Sequence, residues 1–285
     1  MYDVMVSLKN HLIELARNNY IDEIRFIDAD DLTEVHIGNQ QKFVTRQPHA
    51  IMPEAKSIIV CSAYIGAFVT NNSAEYGRMS RLVLSGYYAN IMKPLEPLSN
   101  LLRTKGYRAK IMDGEDAVAH SVPLKGAAVK AGLGWIGKNS LLVSTQYGSF
   151  QALGAILTDA DLGEEIPIAG NKCGGCKKCM ETCPVHAIET PKVLNKEKCL
   201  SHIMDDIIAD NGIPDDVSTQ NYFFECDICQ NACSWNQKHI KKPLETPYGN
   251  LFDKEKVERL MVLEHLSTMD KNTYDKELVP LMKGY

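Results

Sequence analysis

Eight of the nine cysteines in this 285-residue chain lie between Cys173 and Cys233. The run "CGGCKKCMETCP" is C-x2-C-x2-C-x3-C-P, from Cys173 to Pro184. Three thiolates two residues apart wrap one face of a cubane, and the proline turns the chain so that the fourth cysteine reaches a second cluster. A second set follows, Cys199 and then Cys226, Cys229 and Cys233 in "CDICQNAC". The crossing rule assigns Cys173, Cys176, Cys179 and Cys233 to one 4Fe–4S cluster. It assigns Cys183, Cys199, Cys226 and Cys229 to the other. Paired structural zinc sites usually lack the third close cysteine and the trailing proline. Such clusters pass single electrons at low potential.

A second candidate is "AGLGWIGKNS", residues 131–140, where Gly132, Gly134 and Gly137 spell G-x-G-x-x-G and Asp159 follows at the distance of a ribose-binding acid. A dinucleotide turn must follow a strand and open a helix. Here a helical segment precedes the glycines and the strand-like "SLLVS" follows, so the order is reversed. Gly132 reads as the residue closing the short helix. Gly134 and Gly137 allow close backbone approach. Trp135, Lys138 and Asn139 are left to face a cofactor or to pack and solvate the turn.

The elements that must position these groups read as follows. Helix is expected at about 4–18 and strands at 23–28, 57–64 and 107–113. A long helical stretch is expected from about 76 to 105 and a short helix at 124–132. "SLLVSTQYG" and "SFQALGAILTD" read as two strands joined by a glycine-containing turn. Acidic residues with Pro167 and Gly170 mark a boundary near 160–172. The expected organisation is an α/β segment over 1–165, a ferredoxin-like segment over 166–240 and a charged helical tail over 241–285. Cys61, in "SIIVCSAYI", reads as a buried hydrophobe on a strand.

Net charge is −5, which argues against a broad nucleic-acid surface. Local basic clusters at Lys172, Lys177 and Lys178 and in "KHIKK" remain. No apolar run has the length of a bilayer span and the N-terminus lacks a secretory pattern. Clustered cysteines in such a chain indicate metal in a reducing compartment. A cytoplasmic protein is expected.

In combination, "AGLGWIGKNSLLVS", "GSFQALGAILTDADL", "CGGCKKCMETCPVHAI" and "CDICQNACSWN" occur in the order seen in epoxyqueuosine reductases, and the resemblance covers roughly residues 75–240. It implies an α+β fold: a nitroreductase-like half holding base-off cobalamin, then a bacterial-ferredoxin-like domain with two 4Fe–4S clusters. It implies that the glycine loop lies beside a corrin, with Tyr88, Gly132, Gly134, Trp135, Gly137, Lys138 and Asn139 near the cofactor. In the family, an Asp-Tyr-His stretch follows an arginine-containing helix. The matching "SRLVLSGYYAN" has Tyr87, Tyr88 and Ala89, so Tyr88 is retained. Aligning on Pro123 puts His120 where the family has its acid, with Asp116 as the second candidate. "CSWN" stands for the family's "CPWN". The family's tRNA-binding members also carry a C-terminal helical-repeat extension, against about 45 residues after the cysteine region here.

The resemblance thus implies an oxidoreductase that reduces an epoxide, with epoxyqueuosine in tRNA as named substrate and a low-potential flavodoxin- or ferredoxin-type protein as electron donor. Two other readings stay open. One is an electron-transfer protein that reduces a partner's corrinoid or flavin. The other is a flavin reductase.

Overall fold

The computed structural model describes residues 2–32, 47–86, 92–112, 122–164, 166–205, 213 and 216–282. Helix α1 (Tyr2–Asn18) buries Leu8, Leu12 and Ala16, one residue per turn along a single stripe. Strand β1 (Glu23–Asp28), the short helix α2 (Pro48–Ile51) and strand β2 (Ser57–Tyr64) follow.

The expected helix over 76–105 is broken. It contains β3 (Arg78–Met79), α3 (Arg81–Leu84) and α4 (Met92–Thr104). The cause is local: the Ser80 hydroxyl accepts from Val83 N at 3.1 Å and caps α3, and Gly86 ends it at φ 60°. Strand β4 (Ala109–Met112), α5 (Leu124–Lys130), β5 (Trp135–Ile136), β6 (Leu142–Val143) and β7 (Gln151–Thr158) complete this half.

The main sheet has the order β1-β2-β7-β4, with every pairing antiparallel. Every residue of β2 is buried, because helices cover both faces. Its side chains alternate between them with period two. Ile58 and Val60 pack with Ala127 and Ala128 of α5. Ile59 and Cys61 pack with Leu12 of α1 and Leu98 of α4. Burial pushes the Cys61 thiol far up, so it stays protonated in the core. Segment "SLLVSTQYG" is not a second full strand. Leu142 and Val143 pair back onto β5, and Ser144 and Gly148 close a tight turn through an isolated bridge.

The cysteine region consists of short elements: α6 (Lys178–Glu181), the hairpin β8 (Ile188–Thr190) and β9 (Val193–Leu194), α7 (Leu200–Asp205), β10 (Tyr222–Phe224), α8 (Ile228–Asn231) and α9 (Gln237–Lys241). Strand β10 pairs in parallel with β3. The long insert between Cys199 and Cys226 therefore returns to the first half of the chain.

The C-terminal segment is helical, and it packs onto the first half of the chain. Helix α10 (Lys254–Leu260) is capped by Asp253, which accepts from Lys256 N at 3.0 Å, and α11 (Leu263–Thr268) follows. Val257, Leu260, Met261 and Leu278 enter the same core cluster as Tyr64, Phe68, Val83 and Phe150. Gly77 N donates to Met261 O at 2.7 Å, and Leu263 N to Glu75 O at 2.8 Å.

Candidate iron–sulfur and cofactor site

The glycine segment is a helix end joined to a tight hairpin. Gly132 has φ 68° and stands just past α5. Its N–H donates to Val129 O, and Leu133 N donates to Ala128 O, both at 3.0 Å. This is the double hydrogen bond of a glycine-closed helix. A Cβ on Gly134 would stand 2.2 Å from Val143 O, so strand β6 can lie against β5 only because position 134 has no side chain. Gly137 N donates to Leu141 O and Ser140 N to Gly137 O, turning the hairpin. The loop thus runs from helix into strand. Asp159 does not face it: its carboxylate accepts from Arg108 N at 2.8 Å at the edge of β4.

The hairpin closes on the first cysteine loop. Trp135 is buried, and its indole Nε1 donates to Cys173 Sγ at 3.4 Å. Trp235 packs edge-on against it at 5.1 Å between ring centroids. Lys138 Nζ donates to Gly174 O at 2.7 Å and to Cys176 O at 2.8 Å. Its ammonium is thus engaged by the cysteine loop. Asn139 Nδ2 and Ser140 Oγ are buried without a hydrogen-bond partner, an uncompensated desolvation cost that a polar ligand or water would relieve.

The thiols fall into two mutually interacting sets. Burial, then Cys233, Cys173 and Cys176, push the Cys179 thiol up to about 11. Burial, then Cys173 and Cys176, raise Cys233. In the other set, burial raises Cys199, with Cys183 adding to it. Burial pushes Cys226 up to about 12, with Cys199 contributing. Cys229 rises well above its ordinary value through burial, Cys226 and Cys199. Cys179 also acts on Cys229, so the two sets are neighbours.

Among the described residues, no three Cys, His, Asp or Glu side chains converge tightly enough for a single metal ion. Each set offers four thiols, the ligand number of one 4Fe–4S cluster. Further donors face the sulfurs: Ala187 N donates to Cys183 Sγ at 3.4 Å, Ser201 Oγ stands 3.9 Å from Cys226 Sγ, and Ser234 Oγ stands 3.9 Å from Cys176 Sγ.

Buried polar contacts join "CDICQNACSWN" to the first half of the chain. Arg81 pairs with Asp227, between Cys226 and Ile228, and donates to Asn231 Oδ1 at 2.9 Å. Asn236 is fully buried; it accepts from Ser149 N at 2.7 Å and donates to Ser149 Oγ and Gln230 O. Arg81, Ser149, Asp227 and Gln230 were not singled out from the sequence, and Asn236 was noted only as part of the retained "CSWN". Asp227 and Gln230 had the signal of lying among motif cysteines, whereas Arg81 had no such signal. His120, Asp116 and Tyr88 lie outside the described residues.

Residues 172–236 match the family model of a 4Fe-4S double cluster binding domain. The chain is 36% identical over 162 residues to an epoxyqueuosine reductase of Prochlorococcus marinus, covering 56% of this chain and 50% of the relative. It is 32% identical over 216 residues to that of a Synechocystis species, covering 70% of this chain and 71% of the relative. The chain belongs to the epoxyqueuosine reductase family. It spans about half the length of the Prochlorococcus member.

A selenomethionine-labelled epoxyqueuosine reductase shares the family fold at TM-score 0.74 and 21% identity, over 98% of this chain and 80% of that one. One in complex with an epoxyqueuosine-modified tRNA-Tyr stem loop matches at TM-score 0.68 and 21% identity, with the same coverage. A reductive dehalogenase, described with a mechanism for B12-dependent dehalogenation, matches at TM-score 0.57 and 17% identity, over 88% of this chain and 34% of that one. The α+β expectation agrees with these folds. Among the described residues no helix is long and apolar enough to cross a membrane.

Proposed function

We propose that this chain is a cytoplasmic iron–sulfur and cobalamin-dependent reductase that removes an epoxide oxygen, with epoxyqueuosine in tRNA as substrate. The observation that carries the reading is the Trp135–Lys138 hairpin closing on the Cys173–Cys176 loop, in a chain whose family carries the epoxyqueuosine reductase name. The likeness to a B12-dependent fold supports the corrin, and the stem-loop complex of a relative supports tRNA.

In this reading Cys173, Cys176, Cys179 and Cys233 hold one 4Fe–4S cluster. Cys183, Cys199, Cys226 and Cys229 hold the other. Residues 1–165 hold base-off cobalamin, 166–240 hold the clusters and 241–285 brace the first segment. When bound, these groups supply single electrons at low potential and a two-electron cobalt reductant.

The protein's own residues do the rest. Trp135 N–H stabilises the Cys173 thiolate, and Lys138 fixes the backbone that carries Cys176. Asn139 and Ser140 offer polar atoms to the amide-rich rim of a corrin, with Gly134 and Gly137 keeping the turn low. Tyr88 belongs to the same cofactor surface. His120 or Asp116 gives a proton to the departing epoxide oxygen. A histidine suits that task because its ordinary pKa lies near neutrality.

The test is anaerobic reconstitution with hydroxocobalamin. Near-stoichiometric retention with a base-off visible spectrum, and conversion of epoxyqueuosine-containing tRNA, are expected. Retention of flavin alone, or of neither cofactor, would replace this reading by a flavin reductase or an electron-transfer protein.

A further inference from the structure

The loops that carry the first cysteine set have an unusual charge. Residues 166–180 contain Lys172, Lys177 and Lys178 and no acid, and residues 228–244 contain Lys238, Lys241 and Lys242 and no acid. The chain as a whole is at −5. All six lysines are exposed. The structure brings the two loops together, with Ser234 Oγ 3.9 Å from Cys176 Sγ.

The lysines beside Cys176 are also unpaired. Lysines 196 and 198, on the turn after β9, have Glu197 and Glu189 as partners. Among the described residues no ion pair engages Lys172, Lys177 or Lys178. Three unpaired cations around one loop attract a negatively charged body over more than a contact distance.

That loop is bare at its centre. Cys176 is exposed, unlike the other cysteines of its set. Its two predecessors are glycines, Gly174 at φ 52° and Gly175, and a Cβ on either would meet nothing within 4 Å. The two positions before Cys176 thus contribute no side chain and face open space. Of the two neighbouring aromatics, Trp135 is buried and donates its indole N–H to Cys173, and Trp235, packed edge-on against it, is only partly exposed, so neither presents a fully open ring face to a base. RNA recognition relies on such faces. A redox protein needs a short path and an opposite charge.

We propose that Lys172, Lys177 and Lys178, around the Gly174–Cys176 edge, are the docking face for an acidic one-electron carrier protein. This rests on the cluster assignment above and not on cobalamin or the substrate. In each encounter the reduced carrier, a flavin or iron–sulfur protein, loses one electron. The cluster held by Cys173, Cys176, Cys179 and Cys233 gains it, passing from its oxidised to its one-electron-reduced form with no bond made or broken. Two encounters supply the two electrons an epoxide reduction consumes.

The experiment mixes the holoprotein with reduced flavodoxin anaerobically and follows cluster bleaching at several salt concentrations. Binding of oxidised flavodoxin is measured alongside by calorimetry. The wild type should show a second-order rate and an affinity that both fall steeply with salt. Changing Lys172, Lys177 and Lys178 together to Glu should lower the low-salt rate 10- to 100-fold. Reduction by dithionite should stay unchanged. The triple Lys→Gln variant should fall between and serves where the Glu variant loses iron. A salt-independent wild-type rate, or equal rates in wild type and the Gln variant, overturns the proposal. So does a loss of tRNA stem-loop binding in the variant while its flavodoxin rate holds. Failure of the cluster reading shows separately, as missing iron before any mixing.

Discussion

Arg81 and Asp227 form a buried ion pair across the two halves of the chain, at 2.9 Å between Nη1 and Oδ2. Their side chains are only 5% and 1% exposed. Asp227 Oδ2 also accepts from Arg81 N at 2.9 Å, and the guanidinium lies 4.0 Å from the centre of the Phe150 ring. One carboxylate thus fixes the start of α3 and the "CDIC" turn together. Removing one partner leaves an uncompensated buried charge, which costs about 3–5 kcal/mol. Asp227→Ala is expected to lose stability on that scale in denaturant unfolding. The double change Arg81→Met with Asp227→Leu should recover much of the loss, because both desolvation penalties vanish together. Equal stability of Asp227→Ala and wild type would remove the pair's structural role.

A second junction is steric. Gly148 has φ 61°, and a Cβ there would stand 1.8 Å from Asn236 Oδ1. Gly106 has φ 88° with nothing within 4 Å of its Cβ position. Both positions carry the left-handed backbone penalty of about 1–2 kcal/mol for a non-glycine residue. Only Gly148→Ala also displaces Asn236, leaving Ser149 N and Gln230 O without their partner, at about 1–3 kcal/mol for each buried group. Gly148→Ala should therefore cost several kcal/mol more than Gly106→Ala. Thermal melts of the two variants compare them directly.

These junctions also mark what a sequence of this kind reveals. The cysteine spacing and the helix-before-glycine order were readable because they are local patterns, and so were β1, β2, β4 and β7, as short apolar runs. Arg81 sits in an ordinary amphipathic run, and Asp227 is one acid among many. Nothing short of the fold shows that they meet. The same holds for the break at Ser80, where one hydroxyl cap and a parallel pairing to β10, more than 140 residues away in sequence, override helical periodicity. The tail's helical character was readable, but where it packs was not, since its charges lie on the outer side of α10. Its buried residues, Val257, Leu260 and Met261, are too few to stand out from sequence alone.

Asp22 gives a pH prediction. Burial raises its carboxyl above the usual aspartate range. The hydrogen bond from Tyr64 N, at 2.7 Å, opposes that shift, and the neighbouring Glu23 reinforces it. A carboxyl with a raised folded-state pKa contributes stability that is full below the unfolded value, about 3.9, and is lost as pH rises through the folded value. Asp22→Asn keeps an acceptor for Tyr64 N and removes the charge. The variant should gain stability relative to wild type at neutral pH, and the gain should vanish below the unfolded value. Urea midpoints measured across the acid range read this out. A gain that grows on acidification would reverse the sign and sink the argument.

The Trp135–Cys173 contact predicts a redox effect separable from folding. A hydrogen bond to a ligand sulfur stabilises the more negative, reduced cluster and raises its potential. Trp135→Phe removes the N–H and keeps the ring edge against Trp235. A net hydrogen bond of about 0.5–1 kcal/mol corresponds to roughly 20–40 mV for one electron. The potential of the cluster assigned to Cys173 should drop by that order in an anaerobic EPR titration. The cluster assigned to Cys183, Cys199, Cys226 and Cys229 should hold its value, since no atom of Trp135 bonds to its sulfurs among the contacts described. Iron content should be unchanged, because all eight ligand thiols remain. Cys176→Ala provides the contrast: it should remove one cluster's signal and about half the iron. Equal shifts in both clusters of the Trp135→Phe protein would point to a global change in solvent access, and the indole N–H would then have no specific hold on the first cluster.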